Sequence, residues 1–366
     1  LAPAALSAAG RPAYPARVAR ARWIAIAGLA IVGGAAVAVY ASLARWSTPT
    51  ASVAEERAVV PAAYGPGIYA GRLARTELGE ASGMVASLRR GDVLWAANDG
   101  GNPATLYAVG LGGEDLAAFP ILGVPEDDAN FEDLASLRHA GHAFLVVADV
   151  GDNVGARDAV ALWGFQEPIL ADAGTTLRPS WHITLRYEDG PRDCEAVAVD
   201  PDREVVMLIS KRERPPALYE APIGALVDAG GGEVVARRVG ELSGLPLPSA
   251  QDAACTWVPA ALHMPTALDL APEGHSAVVL SYAAAWEFPR HPGESWATAF
   301  ARAPQRIEIP PLPQAEALAF VGTSLYVSGE RAKLALFRWP AALIRLDPIN
   351  PTLPLKSSLR GASPGS

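Results

Sequence analysis

Glu80–Ser87 reads EASGMVAS, and the run that follows it, Asp92–Asp99, reads DVLWAAND. An acid opens a brief apolar strand, and a second apolar strand ends in another acid. The phrase returns four times, opened by an acidic or small residue. Phe131–Arg138 (FEDLASLR) is followed by Ala143–Asp152 (AFLVVADVGD), and Cys194–Asp200 (CEAVAVD) by Glu204–Glu213 (EVVMLISKRE). Thr266–Pro272 (TALDLAP) is followed by Ser276–Ala283 (SAVVLSYA), and Ala315–Gly322 (AEALAFVG) by Ser324–Glu330 (SLYVSGE). Repeats of roughly 40–50 residues built from short strands are the signature of a β-propeller. The spacing therefore predicts an all-β chain with five blades, or six if Ser243–Met264, an insertion without a repeat of its own, carries a degenerate one. A propeller gathers the starts of its inner strands around one channel. Carboxylates far apart in sequence would converge there.

Each repeat offers two further strands. Thr105–Val109 and Asp115–Leu122 serve the first, Val160–Gln166 and Trp181–Tyr187 the second, and Ala217–Pro222 and Val234–Leu242 the third. In the fourth, Glu294–Ala303 alternates poorly. Gly67–Arg75 precedes the first repeat and is placed to close the ring against the last. Trp95, Trp163, Trp286 and Trp339 recur on strands and read as packing between blades.

Half of the 366 residues are apolar, enough for a substantial core, and only 19% are charged. Gly (34) and Pro (32) suit a turn-rich β protein. The net charge of −9 is unevenly spread. Residues 1–50 hold five Arg and no acid, which leaves 25 basic side chains against all 39 acids in the remainder. So acidic a body argues against a nucleic-acid partner, which requires a basic stripe. The two cysteines, Cys194 and Cys255, form no CxxC or CxxCH pattern and read either as a disulfide or as two buried thiols.

Residues 23–44 (WIAIAGLAIVGGAAVAVYASLA) carry no charge over 22 positions. At about 1.5 Å per residue such a helix crosses a hydrocarbon core of about 30 Å. Trp23, Tyr40 and Trp46 stand at its ends, and the four Arg before it mark the cytoplasmic side. The body is then expected outside the cytoplasmic membrane, in a periplasm or its equivalent. A cleaved signal peptide is the competing reading, but the apolar run exceeds the usual 7–15 residues or so of such a segment. Ala30, Gly33, Gly34 and Ala38 form a small-residue stripe of the kind that lets membrane helices pack, or simply reflect an Ala-rich chain. The expected organisation is a basic tail (1–22), a transmembrane helix (23–46), a linker (47–66), the propeller (67–340) and an irregular Pro-rich tail (341–366).

The repeats resemble the esterase-like/phytase-like group of bacterial propellers, which includes the SdiA-regulated-type domains. The resemblance covers roughly 78–340. It rests on Glu80-Ala-Ser-Gly83, Leu94-Trp-Ala-Ala-Asn98-Asp99, Phe131-Glu132-Asp133, Asp149-Val-Gly-Asp152-Asn153, Asp193-Cys-Glu195, Ala267-Leu-Asp269 and Gln314-Ala-Glu316. The chain departs from the family phrases at Ala97 (often His), Gly100 (Ser) and Phe131 (Trp). The resemblance implies architecture more than activity, and it also points to calcium bridged by carboxylates.

The acids at the strand ends are Glu80, Asp99, Asp133, Asp149, Asp152, Glu195, Asp269, Glu316 and Glu330. Like charges at close range call for a cation, and calcium takes six to eight oxygens. The alternative is that these acids cap turns and accept backbone N–H bonds. Lys211-Arg212-Glu213-Arg214 reads as a solvated loop, or in a phosphatase as a phosphate clamp. His139 and His142 read as a surface turn rather than ligands of a soft metal. No nucleophile elbow, P-loop or dinucleotide fingerprint is present. The leading expectation is a non-catalytic accessory or scaffold subunit of a larger membrane complex, respiratory or photosynthetic. The alternative is a calcium-dependent hydrolase of phosphate or carboxylic esters. A ligand-binding sensor is the third possibility.

Overall fold

The computed structural model describes residues 64–125, 129–250, 252, 261–331, 333–334, 337–338 and 340–349. The predicted membrane helix, its small-residue stripe, both tails beyond these limits, Cys255 and Trp339 lie outside the described residues. Among the described residues no helix is long and apolar enough to cross a membrane.

The chain is a β-propeller. Strand β1 (Ile68–Arg72) precedes a four-stranded sheet of β2 (Ala81–Ala86), β3 (Val93–Asn98), β4 (Thr105–Gly110) and β5 (Asp115–Pro120). Next come β6 (Phe131–His139), β7 (His142–Asp149), β8 (Val160–Gln166) and β9 (Trp181–Tyr187). Then follow β10 (Cys194–Asp200), β11 (Val205–Ser210), β12 (Ala217–Pro222) and β13 (Gly231–Glu241). A further sheet holds β14 (Pro265–Leu270), β15 (Ser276–Ser281), β16 (Ala285–Pro289) and β17 (Gln305–Ile307). The last is built from β18 (Ala315–Val321), β19 (Ser324–Gly329) and, after the small hairpin β20 (Lys333–Leu334) and β21 (Phe337–Arg338), β22 (Ala342–Leu346).

β1 pairs antiparallel with β22, so the first described strand completes the last sheet and locks the ring. The stretch from 341 was expected to be irregular. The structure corrects this, because its first residues, Ala342–Leu346 (ALIRL), are Pro-free and apolar and form β22; Pro348 comes only after the strand. The poorly alternating stretch in the fourth repeat is the short helix α2 (Trp296–Phe300), after α1 (Gly224–Asp228) in the third. Ser295 caps α2 by accepting the Thr298 amide.

The second and third four-strand groups share one eight-stranded sheet. Residues Gly231–Ala236 of β13 run parallel to β9, while Arg237–Glu241 run antiparallel to β12. The innermost strands touch in cyclic order, β2 to β6 to β10 to β14 to β18 and back to β2. Between successive strand groups lie five apolar clusters, the last joining Tyr326 and Leu343 to Met84 and Tyr107. The two-residue period of a strand divides β7 between two of them: Leu145 and Val147 face the first group, and Phe144, Val146 and Ala148 face the third. Burial on both faces explains why these strands read as continuous apolar runs. The inner strands pack closely enough to need Gly83, where a Cβ would sit 2.5 Å from the Leu134 amide nitrogen.

Candidate active site at the channel mouth

Every inner strand carries a β-bulge at the same place. The register slips at Ser82 in β2, Glu132 in β6, Glu195 in β10, Thr266 in β14 and Glu316 in β18. A bulge re-aims a side chain out of the alternating pattern. All five residues are polar and all are buried. They begin the inner strands, so they gather at one end of the channel. A second ring comes from the position just after the second strand of each group: Asp99, Val150, Lys211, Tyr282 and Glu330. The fold therefore aims three glutamates from bulges, two carboxylates from strand ends, one lysine and one tyrosine at a common mouth.

Lys211 is the hub. Its ammonium pairs with Glu195 and lies 3.3 Å from the Tyr282 hydroxyl. That hydroxyl donates to Glu316 Oε1 at 2.6 Å, and Glu316 hydrogen-bonds Glu330. Three carboxylate oxygens, one each from Glu132, Asp193 and Glu195, lie within 4.8 Å of one another. Asp193 also accepts the Asp152 amide at 2.9 Å and Arg212 Nε at 2.7 Å. Glu132 accepts the Asn130 side-chain amide at 2.6 Å.

Burial and crowding hold protons on these acids. Burial, against the pull of Lys211, raises Glu195 to about 7. Burial, opposed by the Tyr282 hydrogen bond and helped by neighbouring Glu195 and Glu330, raises Glu316 to about 8. Glu132 is raised well above the carboxylate range by burial and by Glu195 and Asp99. Burial also raises Asp99 and Glu330. Burial works against the Lys211 ammonium, but Glu195 and then Glu316 and Glu132 more than compensate, so its pKa rises.

The nine acids expected at the mouth divide by position. Asp99, Glu195, Glu316 and Glu330 surround Lys211, directly or through their fields. Glu80 accepts the Asn102 side-chain amide at 2.6 Å. Asp149 accepts the Asn130 amide and pairs with Arg157, both at 2.9 Å, and Asp152 accepts the Ala156 and Arg157 amides. Asp133 and Asp269 lie further along the inner strands and serve as staples. Asp133 takes the amides of Leu134 (2.8 Å), Val197 (2.8 Å) and Leu268 (3.1 Å), tying three strand groups together. Burial raises its pKa far above normal despite those three donors. Asp269 takes the Leu270 and Phe320 amides, and burial pushes it up to about 7.

Glu132, Asp193, Lys211 and Tyr282 were missed as site residues. Their signal is positional, since each falls at the bulge, immediately before an inner strand, or just after a second strand. Lys211 is also a correction to the solvated-loop reading, because it is only 7% exposed. His139 stands in the two-residue turn closed by Ala140 and Gly141, both at positive φ. Its ring bridges Glu204 (2.5 Å) and Asp228 (2.7 Å), while His142 meets Gln166 at 3.0 Å. Trp95, Trp163 and Trp286 pack between strand groups, as expected.

The mouth fits a hard cation by its donors, which are all carboxylate oxygens of the type calcium takes. Lys211 and Arg212 neutralise part of the same set, so a bound cation would share Glu195 with the lysine or displace it.

No protein-family model matches the chain. No curated protein sequence matches it either. Among solved structures the chain is similar to the PQQ-bound form of aldose sugar dehydrogenase from Streptomyces coelicolor, at 10% identity over 78% of this chain and 99% of that one, with a TM-score of 0.43. It is also similar to a nidogen/laminin complex (14% identity, 68% and 72% covered, TM-score 0.36) and to Kuenenia stuttgartiensis hydrazine synthase (12%, 75% and 65%, 0.33).

Proposed function

We propose that the ring is a five-bladed propeller, with the eight-stranded sheet counting as two blades, and that its channel mouth is a calcium-dependent hydrolytic site for phosphate or carboxylic esters. The observation that carries this reading is the convergence of Glu132, Asp193 and Glu195 beside Lys211, Tyr282 and Glu316. Glu132, Asp193 and Glu195 would hold the cation, which when bound supplies Lewis acidity and an activated water. Lys211 offers a fixed positive charge to an ester oxygen that becomes anionic. Glu316, raised to about 8, keeps its proton at neutral pH and is the residue suited to protonate a leaving group. Tyr282 holds the Glu316 carboxyl in place. The likeness of the repeats to esterase-like/phytase-like propellers, which points to calcium bridged by carboxylates, favours a cation among these acids.

The test is hydrolysis of p-nitrophenyl phosphate and p-nitrophenyl acetate by the full chain with calcium or with a chelator. Calcium-dependent turnover of either, lost in Glu195→Gln, is expected. No turnover of either with calcium present would refute the reading. The accessory-subunit role proposed from residues 23–46, with the propeller on the outer face of the cytoplasmic membrane, rests on residues outside those described. It is compatible with a hydrolytic mouth.

A further inference from the structure

The end of the propeller opposite the acidic mouth carries a basic cleft. It lies between the β2–β3 turn (87–92) and the β8–β9 loop (167–180) and encloses about 500 Å³. Arg89 and Arg178 line it, with Thr175 and Ser180 adding hydroxyls. Arg138, near the end of β6, reaches the same rim and donates to the Leu88 carbonyl at 2.6 Å. All three guanidiniums are exposed, and none has a carboxylate partner among the described residues. Glu167, an acid on the same lining, is turned inward. Its carboxylate takes the Ser87 hydroxyl, the Leu88 amide (3.1 Å) and Trp95 Nε1 (3.0 Å), and it is 3% exposed. Arg89 donates instead to the Glu167 carbonyl. Asp172 is the single exposed acid on the lining.

We propose that this cleft binds a phosphate-bearing anion. Forked guanidiniums suit a phosphate because each presents parallel N–H donors to its oxygens. In a body this acidic, unpaired arginines around one concavity are the local exception. The cleft is remote from the mouth, so it serves a ligand and not the hydrolytic chemistry. The chain also enters the ring at this end, where Tyr64 hydrogen-bonds the Thr323 carbonyl in the β18–β19 turn. The phosphate can belong to a lipid headgroup or to a soluble molecule.

The test uses the full chain in nanodiscs of phosphatidylcholine, with a chelator to silence any cation at the mouth. Inorganic pyrophosphate is titrated calorimetrically, and amide exchange is followed in residues 87–92 and 167–180. A second set of nanodiscs contains phosphatidylglycerol. Heat of binding to pyrophosphate, weakened about tenfold or more in Arg89→Gln/Arg178→Gln, establishes a soluble phosphate ligand. Slowed exchange of both segments in phosphatidylglycerol discs alone, abolished by the same substitutions, establishes a headgroup. Arg178→Gln is the second variant, since its side chain is exposed and makes no hydrogen bond that folding needs. No response to either anion, or responses unchanged by both variants, overturns the proposal.

Discussion

Replacing Lys211 with Met should destabilise the chain in a pH-dependent way. The substitution keeps the aliphatic volume and removes the one ammonium among Asp99, Glu132, Glu195, Glu316 and Glu330. Removing one partner of a buried pair costs about 3–5 kcal/mol when the other charge has no relief. Glu195 has relief, because it can take a proton. It titrates at about 7 even with Lys211 beside it. At pH 5 it is neutral in wild type and variant alike, and the remaining cost is lost packing and the lost contact to Tyr282, about 1 kcal/mol. At pH 8.5 the wild type holds an ionised pair, whereas the variant must keep a proton on Glu195. Each pH unit above 7 then costs the variant about 1.4 kcal/mol more. Over one and a half units this adds about 2 kcal/mol, for a total near 3 kcal/mol. Urea unfolding of both proteins at pH 5 and 8.5, with a chelator present, measures the difference. A destabilisation of the same size at both pH values would refute the argument that Lys211 compensates Glu195.

The metal-free wild type should lose stability as pH rises from about 4.5 to 8. Glu195 (about 7) and Glu316 (about 8) hold protons in the fold that the unfolded chain has already released at about 4.5, so the folded state binds more protons in that window; thermal melts across this range check the sign. Asp133→Ala should cost about 3 kcal/mol or more in chemical unfolding, because the amides of Leu134, Val197 and Leu268 lose their acceptor together. His139 gains Asp228 and Glu204 as partners, which raise its pKa. Its contribution should be full below about 6.5 and fade as pH rises through the folded value, and His139→Gln should remove that dependence from the melting curve. Because β13 pairs with both β9 and β12, amides of β6 through β13 should exchange as one cooperative unit, slower than those of β14–β17.

The strands were legible because apolar runs buried on both faces carry their own signature. β3, β7, β11, β15 and β19 each begin within one residue and end within three residues of the runs read from the sequence. β22 was hidden by the prolines that follow it, and the parallel seam of β13 on β9 is a long-range pairing with no local signal. The site was half legible for a single reason. Phe131-Glu132-Asp133 displays acids on neighbouring positions, and simple alternation cannot say which faces the channel. The bulges settle this. They turn Glu132 and Glu195 to the mouth and leave Asp133 to the strand amides. Lys211 looked like part of a charge run, but it follows a second strand at the position that gives Asp99, Tyr282 and Glu330 in other repeats. Reading the five repeats in register, rather than each phrase alone, recovers it.

The most direct measurement is a crystal structure of the full chain grown with calcium. The account predicts an ion held by carboxylate oxygens of Glu132, Asp193 and Glu195, with Lys211 drawn away from Glu195. A mouth without an ion, in which Lys211 still grips Glu195 at saturating calcium, would contradict it.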